Sequence, residues 1–247
     1  MTNYIRHTYH REFNPEICWY KEVCDKYGTP ECNFHCHKNF RMDYLMFFSN
    51  IPRTQQYPQQ LSVPAADRLA YARLKEILLD IYNWVQDGKN LYLFSNKFGN
   101  GKTSWALKLL KNYLNFVVSS TDLVPRGLFI SLPDFMLRYK RNYRNPDPMF
   151  EYLLDDIEVV DLVVWDDIGF ASMSDADFKI ISGYIETRYN QKLSNIFTSN
   201  LGKKALSAQI GDRLTSRIWN RSEIIELKAT DSRTLRKLLN VSDEEEE

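Results

Sequence analysis

Residues 96–104 read Asn96-Lys97-Phe98-Gly99-Asn100-Gly101-Lys102-Thr103-Ser104. The two glycines let the backbone bend so that its N–H groups converge on one point. A lysine and a hydroxyl follow directly. This is the chemistry of a phosphate cradle: N–H groups and a helix N-terminus for phosphate oxygens, Lys102 for the outer phosphates, and the Thr103 hydroxyl for magnesium. All of residues 96–104 are candidate nucleotide contacts. The pattern departs from G-x-x-x-x-G-K-[ST] at its first position, where Asn96 replaces glycine. Asparagine tolerates a left-handed backbone better than most residues. A Gly-rich turn that binds nothing is the plain alternative, and the strand-loop-helix setting argues against it.

Further along, Leu162–Trp165 is apolar and runs into Asp166-Asp167-Ile168-Gly169. Two carboxylates leaving a buried strand are costly without partners, and a nucleotide-bound magnesium ion is one such partner. Asp166 is the expected magnesium ligand beside Thr103. Asp167 is expected to orient and deprotonate an attacking water. Asn200, in Thr198-Ser199-Asn200, would hold that water near the outer phosphate. Each of these turns is ordinary by itself; the phosphate loop in the same chain changes their reading.

The elements that must position these residues alternate. Residues 67–86 have helical apolar spacing ended by Gly88. Short apolar runs at 91–95, 128–132, 159–165, 195–199 and 223–227 read as strands. Helices are expected at 103–116, after Pro133, at 174–189 and at 210–220. Strands separated by helices imply a parallel five-stranded sheet flanked by helices, an α/β P-loop fold.

The chain has 247 residues and a hydrophobic fraction of 44%, enough for one large α/β domain with a small appendage. Basic and acidic residues balance at 32 each, so no global charge points to nucleic acid or membrane. The last five residues, Asp243–Glu247, are all acidic and read as a solvated tail. No apolar run approaches the ~20 residues of a membrane span, and the N-terminus lacks the apolar region of a signal peptide. A cytoplasmic location is expected. Four divisions follow: residues 1–48, rich in Cys, His and aromatics; a Pro/Gln connector at 49–66; the ATPase domain at 67–240; and the tail at 241–247.

Cys18, Cys24, Cys32 and Cys36 lie close together, with His35 and His37 among them and His7 and His10 before them. In a reducing compartment such a cluster reads as a structural Zn2+ site on the four thiolates, or with a histidine replacing one. Packing as small hydrophobes is the alternative. In 137–145, Arg138, Lys140, Arg141 and Arg144 interleave with Tyr139 and Tyr143. Cations for phosphates and rings for bases are what single-stranded DNA binding uses; Arg138, Tyr139, Lys140 and Arg141 are the candidate contacts. A solvated helix face is the alternative.

The motif order NKFGNGKTS, VVWDDIG, IFTSN, GDRLTSRI, then an arginine after a short strand, resembles the AAA+ ATPases of the DnaC/DnaI replicative helicase loader type, especially phage and Firmicute versions. The Cys-rich start resembles the zinc-containing, helicase-binding domain of the DnaI type. The resemblance implies ATP and Mg2+ as cofactors, Asn200 as sensor 1, and Arg233 as a sensor-2 nucleotide contact. It implies Arg217 as an arginine finger acting on a neighbouring subunit, with Arg213 as its competitor, and hence self-association on ATP or helicase binding. It also implies a truncated C-terminal lid, since few residues follow Arg233. The partner implied for residues 1–48, with Trp19, Tyr20, Tyr27, Phe34, Phe40 and Tyr44, is a hexameric replicative DNA helicase. The expected activity is slow, partner-stimulated ATP hydrolysis that helps place this helicase on single-stranded DNA. The competing readings are a transposition accessory ATPase of the IstB type and an adaptor that inhibits or recruits host replication proteins.

Overall fold

The computed structural model describes residues 13–56, 61, 63–119, 124–170 and 174–229. Five strands, β1 Asn90–Phe94, β2 Gly127–Ser131, β3 Leu162–Asp166, β4 Ser194–Ser199 and β5 Glu223–Glu226, form one sheet in the order β2-β3-β4-β1-β5. Every pairing is parallel. The helices are α1 His37–Phe48, α2 Arg68–Leu79, α3 Ile81–Gln86, α4 Lys102–Val117, α5 Leu132–Asn142, α6 Pro148–Val159, α7 Asp175–Asn190, α8 Lys203–Ile210 and α9 Asp212–Arg221.

The period-2 alternation of the strands divides the core. Leu91, Leu93, Val164 and Ile196 face the side covered by α1–α4. Tyr92, Phe94, Val163, Trp165 and Phe197 face the side covered by α5–α9. Both faces are buried, so the strands read as continuous apolar runs. Among the described residues no helix is long and apolar enough to cross a membrane.

The strand and helix order expected from the sequence is present, with three differences. The helix expected at 67–86 breaks at Asp80, giving α2 and α3. Val159, expected to open the third strand, closes α6. That helix is set by Pro148 in its first turn and by Asp147, whose side chain accepts the Met149 N–H. Finally, α8 precedes α9, with Gly211 between them at φ 83.

Helix α1 packs into the α4 side of the core through Met42, Leu45 and Met46. Just beyond it the chain closes the exposed edge of β2. The Phe129 N–H donates to Ser49 O at 2.8 Å, and Asn50 Nδ2 donates to Phe129 O at 2.9 Å. An edge strand left bare would present unpaired N–H and C=O groups. Lys111 of α4, also buried, donates to Gln55 O at 2.8 Å.

The opposite ends of the strands are held by a polar plug. Arg188, with no exposed surface, donates to Asn195 Oδ1 and to the carbonyls of Ile157, Val160, Asp161 and Ser194. Asn195 Oδ1 also accepts from Trp165 Nε1, and Asn195 Nδ2 donates to Asn90 Oδ1. One guanidinium thus joins α7 to the end of α6 and the starts of β3 and β4. Replacing it would strand several buried acceptors at once. Arg188→Met is therefore expected to destabilise the fold by about 3 kcal/mol or more. A urea midpoint unchanged from the wild type would contradict this role.

Candidate nucleotide-binding site

The loop between β1 and α4 lies at the C-terminal ends of the strands, the end opposite the plug. Gly99 and Gly101 adopt φ 70 and φ 90, where a side chain would be strained. Gly101 is the N-cap of α4, so the helix's unpaired N–H groups and its positive dipole end face the loop. Asn96 is not among the residues with positive φ, so its replacement of glycine imposes no backbone strain here. The Lys97 N–H donates to Ser95 Oγ at 3.1 Å. Phe98 is exposed, and Ser104 is half-buried in the first turn of α4. Lys102 is buried, and its Nζ donates to Lys97 O and Asn100 Oδ1, each at 3.2 Å.

From β3, Asp166 meets this loop. Its Oδ1 accepts from Thr103 Oγ1 at 2.8 Å and from Thr198 Oγ1 at 2.6 Å. Asp167 follows at φ 61, an uncommon conformation for a residue with a side chain, and its N–H donates to Thr198 Oγ1 at 3.0 Å. Ser199 Oγ donates to Ile168 O at 2.7 Å and accepts the Leu201 N–H, stitching the two turns together. Asn200 begins the turn after β4. Thr103, Asp166, Asp167 and Asn200, separated in sequence, therefore converge on one edge of the sheet. An oxygen donor set of hydroxyl and carboxylate suits a hard divalent cation, and the adjoining N–H cradle suits phosphate. The residues fit magnesium and a nucleotide.

Two residues with no sequence signal of their own also support the site. Asp67, 2% exposed, accepts the N–H groups of Lys228 and Ala229 at 2.6 and 3.1 Å. The same segment receives Lys97 Nζ at Lys228 O and Asn100 Nδ2 at Leu227 O. The chain leaving β5 is thus laced to the phosphate loop. Thr198 is the second; only its place in TSN marks it.

Other expected site residues are placed as follows. Arg217 of α9 pairs with Glu186 of α7, while Arg213 is exposed. Arg233 lies outside the described residues. Lys140 pairs with Asp177 at 2.8 Å. Arg138 lies over the Phe150 ring at 4.8 Å, and Arg141 is exposed. Tyr139 packs on Phe135 and Phe150 against the core, so the ring left open for stacking is Tyr143, 91% exposed.

The zinc expectation is corrected. Among the described residues, which include Cys18, Cys24, Cys32 and Cys36, no three Cys, His, Asp or Glu side chains gather as a metal-ligating group. None of the four is in a disulfide, and all four are half-buried. Cys18 and Cys24 pack against the core, Cys18 Sγ accepts Asn39 Nδ2 at 3.3 Å, and Cys36 serves as the N-cap of α1. Cys18 and Cys24 pack as small apolar groups that join the N-terminal turns to the body.

The parallel sheet, the phosphate loop on its C-terminal edge and the aspartate pair beside it define a parallel α/β fold of the P-loop type. No family model matches the chain. Over 130 residues it is 29% identical to the replicative helicase loader DnaC of Escherichia coli (strain K12), covering 51% of this chain and 49% of that protein. The chain thus spans about half the length of the curated relatives it matches. The crystal structure of the DnaC helicase loader aligns with a TM-score of 0.56 at 21% identity, over 75% of this chain and 99% of that one. That of DnaI aligns with a TM-score of 0.57 at 20% identity, over 71% and 94%. The chain is similar to DnaC/DnaI-type loaders, as its motif order indicates.

Burial raises the pKa of Asp166; the Thr198 hydrogen bond opposes this, the Asp167 charge adds to it, and Thr103 and Lys102 oppose it. A carboxyl with a higher pKa folded than unfolded stabilises the fold when protonated, and that stability is lost as pH rises through its folded pKa. Without magnesium or nucleotide, Asp166→Asn is expected to raise the melting temperature near neutral pH, by about 2–4 °C per kcal/mol relieved. The gain should shrink as pH falls into the carboxylate range. Calorimetry at about pH 7.5 and about pH 5 reads this; a variant melting below the wild type at neutral pH would refute it.

Proposed function

We propose that the chain is an ATP-dependent loader of a hexameric replicative DNA helicase, helping to place it on single-stranded DNA. The observation that carries this reading is the 2.8 Å contact of Thr103 with Asp166. It brings the phosphate loop and the aspartate pair together in a fold shared with DnaC and DnaI. A magnesium ion held by Thr103 and Asp166 would supply positive charge that offsets charge growing on the phosphates. Residues 96–104 cradle the phosphates, Lys102 reaches the outer ones, and Thr103 and Asp166 hold the ion. Asp167 takes the proton of the attacking water, which Asn200 helps position. Arg217 acts in trans on the nucleotide of a neighbouring subunit, and Arg233 contacts the nucleotide in its own subunit. ATP hydrolysis is slow and stimulated by partner or DNA.

Residues 1–48 engage the helicase, 49–66 connect, 67–240 form the ATPase domain and 241–247 the acidic tail. Arg138, Lys140 and Arg141 on α5 meet DNA phosphates, with Tyr139 supporting them from the core side. The loader works in the cytoplasm.

Lys102→Ala is expected to weaken ATP binding by about tenfold or more. Full-length Lys102→Ala should also lose ATP-dependent delivery of helicase to single-stranded DNA. Full delivery by this variant would refute the loader reading. Arg217 is tested by mixing. Asp167→Asn has an intact finger and a dead site, and Arg217→Ala the reverse, so mixing two inactive proteins should restore hydrolysis through composite sites. No recovery at concentrations where the subunits associate would remove Arg217 from the trans role.

A further inference from the structure

Thr198 has no exposed surface, yet its hydroxyl touches both members of the aspartate pair. It donates to Asp166 Oδ1 at 2.6 Å and accepts the Asp167 N–H at 3.0 Å. A hydroxyl has a single proton. With a backbone N–H filling one lone pair, that proton is directed at the carboxylate. The Thr198 carbonyl adds a further tie, accepting the Ile168 N–H at 2.9 Å.

Two needs are met by this one side chain. Asp167 stands at φ 61, a conformation that persists only where the surroundings over-determine it. The bonds from Asp167 N–H and Ile168 N–H to Thr198 hold that turn. The Asp166 carboxylate is held through its Oδ1 by the Thr198 hydroxyl. Thr103 donates to the same oxygen, but in the magnesium–ATP reading its hydroxyl turns to the ion. Thr198 is then the anchor that stays.

We propose that Thr198 is the positioning residue of the site: its buried hydroxyl orients the Asp166 carboxylate toward the cation and sets the Asp167 turn. This rests on the magnesium–ATP reading above. Thr198 lies in β4 just before Asn200, so one strand sets the register of both aspartates and of the asparagine.

Thr198→Val keeps the branched shape and strand preference and removes both hydrogen bonds. Full-length protein is assayed for ATP hydrolysis against magnesium concentration, and for binding of a fluorescent ATP analogue. Thr198→Val is expected to raise the half-saturating magnesium concentration about fivefold and lower kcat about tenfold or more, with the KM for ATP changed less than about threefold. Thr198→Ser should recover both within about threefold. Ser194→Ala, which removes an equally buried hydroxyl at the other end of β4, bonded to Val85 O, should stay within about threefold of wild type.

A Thr198→Val protein with wild-type kcat and magnesium requirement overturns the proposal, as does an equal loss in Ser194→Ala. If the valine variant does not fold, Thr198→Ser and Thr198→Ala are compared below the melting point of both. Serine retaining function where alanine loses it supports the proposal; equal behaviour overturns it. A wild type that binds no analogue at any magnesium concentration refutes the magnesium–ATP reading itself, a result distinct from either.

Discussion

The site depends on a carboxylate kept where water barely reaches it. Asp166 ends β3 at 7% exposure, and an isolated charge there would be driven neutral. Two hydroxyls from different elements, Thr103 and Thr198, converge on one of its oxygens. Those bonds fix α4, β3 and β4 relative to one another at the sheet's C-terminal edge. The phosphate loop, the left-handed turn at Asp167 and Asn200 all hang from that junction.

The two ends of the sheet divide the polar burden. At the N-terminal ends, Arg188 and Asn195 form a closed network whose acceptors are mostly backbone carbonyls. It has saturated donors and no solvent path, which suits rigidity. At the C-terminal ends the buried polar groups include Lys102, whose Nζ donates to Lys97 O and Asn100 Oδ1 at 3.2 Å each.

The N-terminal region is tied into the same body. Helix α1 fills the α4 side of the core, and Ser49 and Asn50 close the β2 edge. The end of α1 is thus joined to β2, which pairs with β3, the strand that ends in Asp166. On the other flank, Asp67, Lys97 and Asn100 lace the segment after β5 to the phosphate loop.

The sequence by itself determined the phosphate loop, the aspartate pair and the parallel α/β order, because these depend on local chemistry. Glycines at positive φ, a lysine and hydroxyl at a helix start, and apolar runs of strand length are written in consecutive residues. Asn96 could be read only as a tolerated exception; the structure shows that its backbone needs no glycine. What depends on residues far apart was decided by the tertiary structure. The spacing of Cys18, Cys24, Cys32 and Cys36 is compatible with a metal site, but among the described residues no three ligating side chains come together, and Cys18 and Cys24 pack against the core. Tyr139 and Tyr143 look alike in sequence, yet Tyr139 lies within α5 and packs on Phe135, whereas Tyr143 lies just past the helix end and is exposed. Arg188, Asp67 and Thr198 carry no motif strong enough to mark them. Their importance comes from which backbone groups and carboxylates the fold brings within hydrogen-bond reach, and only the folded chain sets those distances.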